Sequence, residues 1–157
     1  MPKFIEVRKD VFATGSVAND QKDLREFYRA NIDDIILAFD ECKKIFKVDK
    51  VKLFVRNIRS KSTVGFYKNS NKEISIDLRS YDIRGIVSTI IHEMTHAQQH
   101  DTKKMFYTNK QVNFDGKLYN IVSAEKDHEA YLNLPWEIEA RKMQQKYIEK
   151  VMKVIFK

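Results

Sequence analysis

Only one cysteine, Cys42, occurs among the 157 residues. An intramolecular disulfide is therefore excluded, and a reducing compartment is the expected setting. No run of about 18 or more apolar residues is present, so no membrane-spanning helix is expected. The opening segment Met1-Pro2-Lys3-Phe4-Ile5-Glu6 lacks the apolar stretch of a secretory signal. Together these absences point to the cytoplasm. Internal repeats and low-complexity tracts are also missing, as is any aromatic-plus-basic pattern of a nucleic-acid module. The net charge of +7 leaves room for nucleic acid or another acidic partner. A lysine-rich solvated face accounts for it more simply, and nucleic acid is not favoured. Hydrophobic residues make up 43% of the chain, enough for the core of one domain spanning 1–157.

The most informative stretch is Ile90-Ile91-His92-Glu93-Met94-Thr95-His96-Ala97. On a helix, residues four apart share a face. His92 and His96 can thus aim two imidazoles at one ion, with Glu93 beside them. A zinc hydrolase uses that arrangement: the histidines hold Zn²⁺ and the glutamate takes a proton from water. Five residues with three fixed also arise by chance, so the surroundings matter. Ile83, Ile86, Val87, Ile90, Ile91, Met94 and Ala97 form one apolar stripe at helical spacing. The stripe is centred almost opposite the histidines, with Glu93 toward its edge. The helix is expected to bury its back and turn the histidines toward a cleft or solvent.

Elsewhere the pattern predicts an α+β fold: a small, mostly antiparallel sheet against a long N-terminal helix, the His-Glu-x-x-His helix and a C-terminal helix. Strands are expected at Lys3–Lys9, Lys50–Arg56, Thr63–Tyr67 and Lys72–Arg79. Residues 13–20 read as loop, with Asn19 or Asp20 capping a helix that runs to about Phe46. Leu24, Tyr28, Ile32, Ile35, Phe39, Cys42 and Phe46 make its apolar stripe, so Cys42 is expected to be a buried thiol. Residues 1–81 supply the N-terminal helix and sheet, and residues 82–101 the histidine helix, opened by Asp82. Residues 102–134 form a hairpin and loop region, with a turn at Asp115-Gly116 and a cleft-covering segment at 101–113. Residues 135–157 form the last helix, with Pro135 in its first turn.

A metal site needs a third ligand. His100 lies one further helical turn along, about 6 Å beyond His96, and cannot share the ion while the helix continues. The metzincin solution is excluded, because Gln99 occupies the glycine position and Thr102 that of the returning histidine. His128 sits in a polar run and reads as a surface residue, though it stays a candidate. In Pro135-Trp136-Glu137-Ile138-Glu139-Ala140-Arg141, periodicity separates two glutamates. Glu137 shares a mostly apolar face with Ala140, Gln144, Ile148, Val151 and Ile155, where a carboxylate is costly unless paired or bound to metal. Glu139 shares its face with Lys142, Lys146, Lys150 and Lys153 and reads as part of a surface ion-pair ladder. Glu137 is therefore the expected ligand. Its place in a helix's first turn has an alternative cause, the helix macrodipole.

His92, Glu93, His96 and Glu137 together resemble the gluzincins, the thermolysin-like zinc peptidases. Glu137-Ile138-Glu139-Ala140 is similar to the Glu-x-Glu-Ala form of the glutamate helix in minimal gluzincins. Residues Tyr131 to Ala140 also resemble small bacterial and phage metallopeptidase-like proteins with Tyr-x-x-x-Pro-x-Glu-x-Glu-Ala. The likeness covers roughly residues 72–145. It implies a zincin-like fold, one catalytic zinc ion, and an edge strand that binds an extended peptide by strand addition. Residues 74–78 are placed at that edge. Many gluzincins have Asp or Asn four residues after the metal-binding glutamate, to orient a histidine. Here Arg141 stands there, so another group must take that role. Tyr131 is the candidate donor to a developing oxyanion, or else an aromatic packing beside Trp136.

The expected activity is zinc-dependent hydrolysis of a peptide or protein substrate, by a gluzincin-type endopeptidase with Glu93 as general base. The rival is a catalytically silent or latent zinc-binding regulatory protein. A SprT-like protease acting on nucleic-acid-bound proteins is disfavoured by Glu137, since that group takes a third histidine.

Overall fold

The computed structural model describes residues 4–14, 32–56, 58, 64–77 and 82–156. Among these residues the fold is α+β, with a five-stranded sheet, a separate three-stranded sheet and four helices. The large sheet contains β1 (Phe4–Arg8), β2 (Val11–Thr14), β3 (Lys52–Arg56), β4 (Gly65–Lys68) and β5 (Glu73–Asp77), in the order β1-β2-β3-β5-β4. Helix α1 (Ile32–Phe46) lies between β2 and β3 in the chain, and α2 (Ile83–Asp101) follows β5.

The expectation of a mostly antiparallel sheet is corrected. β1 and β4 pair antiparallel with their neighbours, but β2-β3 and β3-β5 are parallel. Parallel pairing requires a crossover, and the segment containing α1 supplies it between β2 and β3. Alternation within a strand shows which face is buried but not the direction of its neighbour. Strand β2 is a second correction, since Ala13 and Thr14 were assigned to a loop. Val11 and Ala13 are fully buried in it, between β1 and β3. The rest of that loop, the cap at Asn19 or Asp20 and the first turns of the long helix lie outside the described residues.

The hydrophobic stripes fold as their spacing predicts. Ile32, Ile35, Phe39, Cys42 and Phe46 of α1 are buried against the sheet and α2. Burial pushes the Cys42 thiol well above its ordinary value, consistent with a structural rather than a nucleophilic role. All seven members of the α2 stripe are buried. Asp82 starts α2 as foreseen, its side chain accepting from Gly85 N at 3.0 Å.

Beyond α2, β6 (Met105–Thr108), β7 (Gln111–Phe114) and β8 (Lys117–Asn120) form an antiparallel meander. Its second turn is Asp115-Gly116 as expected, and both residues take the positive φ that a two-residue hairpin demands (52° and 85°). A short helix, α3 (His128–Leu132), precedes α4 (Pro135–Ile155). Met105, Val112, Phe114, Leu134 and Trp136 form a second, smaller apolar cluster that fastens the meander to the start of α4. Among the described residues no helix is long and apolar enough to cross a membrane.

An ion network ties the β1–β2 turn to α1. Arg8 contacts Asp10 at 2.7 Å and Asp40 at 2.6 Å, while Lys43 reaches Asp10 at 2.6 Å. Burial alone would raise the Asp10 carboxyl, but hydrogen bonds from Arg8 and Lys43 outweigh it and hold it at about 2. Hydrogen bonding from Arg8 lowers Asp40 as well. Both folded values are depressed, so the stabilisation is present above the unfolded carboxyl value of about 3.9. It is lost as pH falls from there toward about 2. Partial exposure and salt keep it modest. Urea midpoints at pH 6 and pH 3 should therefore differ less in Arg8→Met than in wild type; equal differences would deny the network this role.

Candidate metal centre

Helix α2 supplies two imidazoles and α4 one carboxylate. His92 and His96 lie four residues apart, with ring centroids 4.9 Å apart. Pro135 fits the first turn of α4, where its missing N–H is no loss. One turn of helix then faces Glu137 toward α2. Its Oε1 lies 3.0 Å from His92 Nε2 and its Oε2 2.9 Å from His96 Nε2. One ligand atom from each of the three residues falls within 4.8 Å of the others, an arrangement compatible with a metal site.

Glu137 is 4% exposed. Burial alone would raise its carboxyl, yet hydrogen bonds from the two histidines outweigh that and hold it at about 2. Burial likewise works to lower both histidines, but their hydrogen bonds to Glu137 and the nearby charge of Glu93 keep them above the ordinary value. Glu93 is 5% exposed and is raised by burial. Among the described residues its Oε2 is enclosed without a hydrogen-bond partner.

The remaining candidates separate clearly. His100 stays outside the cluster, as helix geometry requires, with its ring near those of Tyr67 and Tyr107. Burial lowers it to about 4. His128, at the exposed start of α3, lines the cleft but is not in the cluster. Tyr131 lies in the cleft wall. Its ring packs with the Trp136 cluster, while burial and the charges of Glu137 and Glu93 push its phenol upward. Tyr107 of β6 brings a second phenol to the cleft; burial and the Glu137 charge raise it too. The sequence places Tyr107 in the segment expected to cover the cleft but carries no signal for the direction of its side chain.

Glu139 is corrected. It does not join a surface ladder with Lys142; it accepts from Gln99 Nε2 at 3.1 Å and Lys104 Nζ at 2.5 Å. Lys104 enters from the meander, and the α4 sequence contains no trace of that contact. Arg141 donates to the Leu132 carbonyl. Among the described residues no hydrogen bond joins it to either histidine. Two glutamines stand against the rings instead. Gln144 Oε1 lies 2.9 Å from His92 Nδ1 and Gln99 Oε1 2.8 Å from His96 Nδ1. Gln144 was already on the Glu137 face; Gln99 is one turn beyond His96.

A cleft of about 570 Å³ opens over these residues, bounded by β4, α2, the β6–β7 hairpin and the starts of α3 and α4. The hairpin includes most of the segment expected to cover the cleft. The rim is another correction. β5 (Glu73–Asp77), the segment placed at the edge, lies between β3 and β4, and Leu78 falls outside the described residues. β4 is the edge strand and lines the cleft with Gly65, Phe66 and Tyr67. Compared with protein-family models, with curated proteins and with solved structures, the chain matches none.

Gly65 lets β4 press onto α2 beside Glu93. A Cβ there would stand 2.4 Å from Thr89 Cγ2, 3.1 Å from the Ser75 carbonyl oxygen and 3.6 Å from Glu93 Cγ. Thr89 cannot swing aside easily, since its hydroxyl is bonded to the Gly85 carbonyl at 3.0 Å. Gly65→Ala should cost about 1–3 kcal/mol by overpacking. Thermal or urea unfolding checks this, and a variant as stable as wild type would mean the strand is not pinned there.

Proposed function

We propose that the chain is a zinc-dependent peptidase, with a gluzincin-like centre on a zincin-like fold. Glu137 carries the reading. From a separate helix, its carboxylate approaches Nε2 of both histidines at 3.0 and 2.9 Å. Beside them Glu93 keeps a buried oxygen without a partner among the described residues. Two imidazoles and one carboxylate are the donors of a catalytic zinc site that leaves a fourth position for water or substrate. Bound there, zinc supplies a Lewis acid that polarises a carbonyl and acidifies water.

The chain's own groups do the rest. His92, His96 and Glu137 hold the ion. Glu93 accepts a proton from the attacking water at Oε2 and returns it to the departing amine. The Tyr131 phenol donates toward the oxygen on which negative charge develops. β4, with one edge unpaired among the described residues, offers backbone groups to an extended peptide. The apolar side chains Met105, Val112, Val122 and Trp136 in the cleft wall receive substrate side chains.

Elemental analysis of untagged protein tests this. Wild type should carry close to one zinc per chain, and Glu137→Ala should lose most of it. Glu93→Gln should keep zinc and lose peptide cleavage. Full zinc in Glu137→Ala would place the third ligand elsewhere. Turnover by Glu93→Gln would remove that residue as the base. A zinc-loaded wild type that cleaves no peptide would favour a binding or regulatory protein.

A further inference from the structure

Each histidine of the cluster turns its Nδ1 to a glutamine side chain, and an amide has two faces. Its oxygen accepts from a ring N–H, whereas its NH₂ needs a bare ring nitrogen. The face presented therefore selects the ring nitrogen that keeps its proton.

For His96 the selection is made by a group that never touches the ring. Gln99 is 1% exposed. Its Nε2 lies between two acceptors, the Trp136 carbonyl at 3.2 Å and Glu139 Oε1 at 3.1 Å. Turning the amide over would set its oxygen against a carbonyl and a carboxylate. Two hydrogen bonds would become two oxygen–oxygen repulsions in a buried place, where unpaired polar groups cost most. Glu139 itself is fixed by Lys104 Nζ at 2.5 Å. His92 is held more loosely. The Gln144 NH₂ meets the Ser88 hydroxyl at 2.7 Å, and a hydroxyl satisfies either amide face because it both donates and accepts.

We infer that Glu139 is a positioning residue: through Gln99 it holds the proton on His96 Nδ1 and so leaves Nε2 for a metal ion. The inference rests on the metal reading above and extends it to a carboxylate outside the ligand set. The chain Lys104–Glu139–Gln99–His96 also joins the start of the meander to one metal ligand. A hairpin that shifted Lys104 would reach the ion through this chain without touching it.

The test is Glu139→Gln in the full chain, since the new amide can offer its own NH₂ and let Gln99 turn. Zinc affinity is measured by chelator competition and melting on the metal-free protein. Ring ¹⁵N resonances are recorded without metal at about pH 10 in a Glu137→Ala background, which removes the competing acceptor at Nε2 and leaves the imidazoles neutral. Zinc binding should weaken about 10–100-fold. The Nδ1-protonated pattern should weaken at His96, where the Trp136 carbonyl still holds the Gln99 amide, and stay as it was at His92, with little change in metal-free melting. Glu139→Asp keeps an acceptor-only head and should retain most of the affinity; Lys104→Met should cost less than Glu139→Gln. Wild-type zinc affinity with an unchanged His96 pattern in Glu139→Gln would overturn the inference. A wild type that takes up no zinc, while the His96 pattern still follows residue 139, would support the positioning and reject the metal reading instead.

Discussion

The approach of Glu137 to two histidines is the contact on which the cleft depends. A carboxylate buried to 4% exposure is unfavourable unless its charge is answered, and His92 and His96 answer it from the neighbouring helix. That contact sets how α4 lies on α2, because each oxygen is matched to one ring. The apolar backs of both helices agree with it. The α2 stripe and Val151 of α4 share the main core, so the polar contact is made where two buried surfaces already meet.

The support behind the two rings is unequal. His96 is backed by a buried amide, a carboxylate and a lysine in series; His92 is backed by an amide and a hydroxyl. Neutral amides orient a ring without the negative charge that a carboxylate would add beside it. The charged member, Glu139, stands one step further back on the His96 side. The small sheet is thereby more than a cover. It is fixed through Trp136 and its apolar neighbours on one side and through Lys104 on the other.

On the opposite rim the controlling feature is the absence of a side chain. β4 lies close enough to α2 for Gly65 to sit within reach of Glu93, so strand edge and carboxylate share one wall. Tyr67 and Tyr107, from the rim and the hairpin, each approach His100 on α2. The cleft thus gathers groups from every layer of the fold, while its most buried charges stay on two rigid helices.

Much of the centre was legible in the sequence because it depends on local periodicity. The spacing of Ile83 to Ala97 determined which way His92 and His96 face, and the same reasoning separated Glu137 from Glu139. Asp82, Pro135 and Asp115-Gly116 marked boundaries through cap and turn chemistry that acts within a few residues. Contacts between distant segments were decided only by the tertiary structure. Gln99 and Glu139 are 40 residues apart and His92 and Gln144 52, and a neutral amide leaves no mark in a hydrophobic pattern. The parallel centre of the sheet and the place of β4 at its edge belong to the same class. Periods of 3.6 and 2 residues fix the side of an element that is buried, whereas its neighbour is chosen by packing across the whole chain.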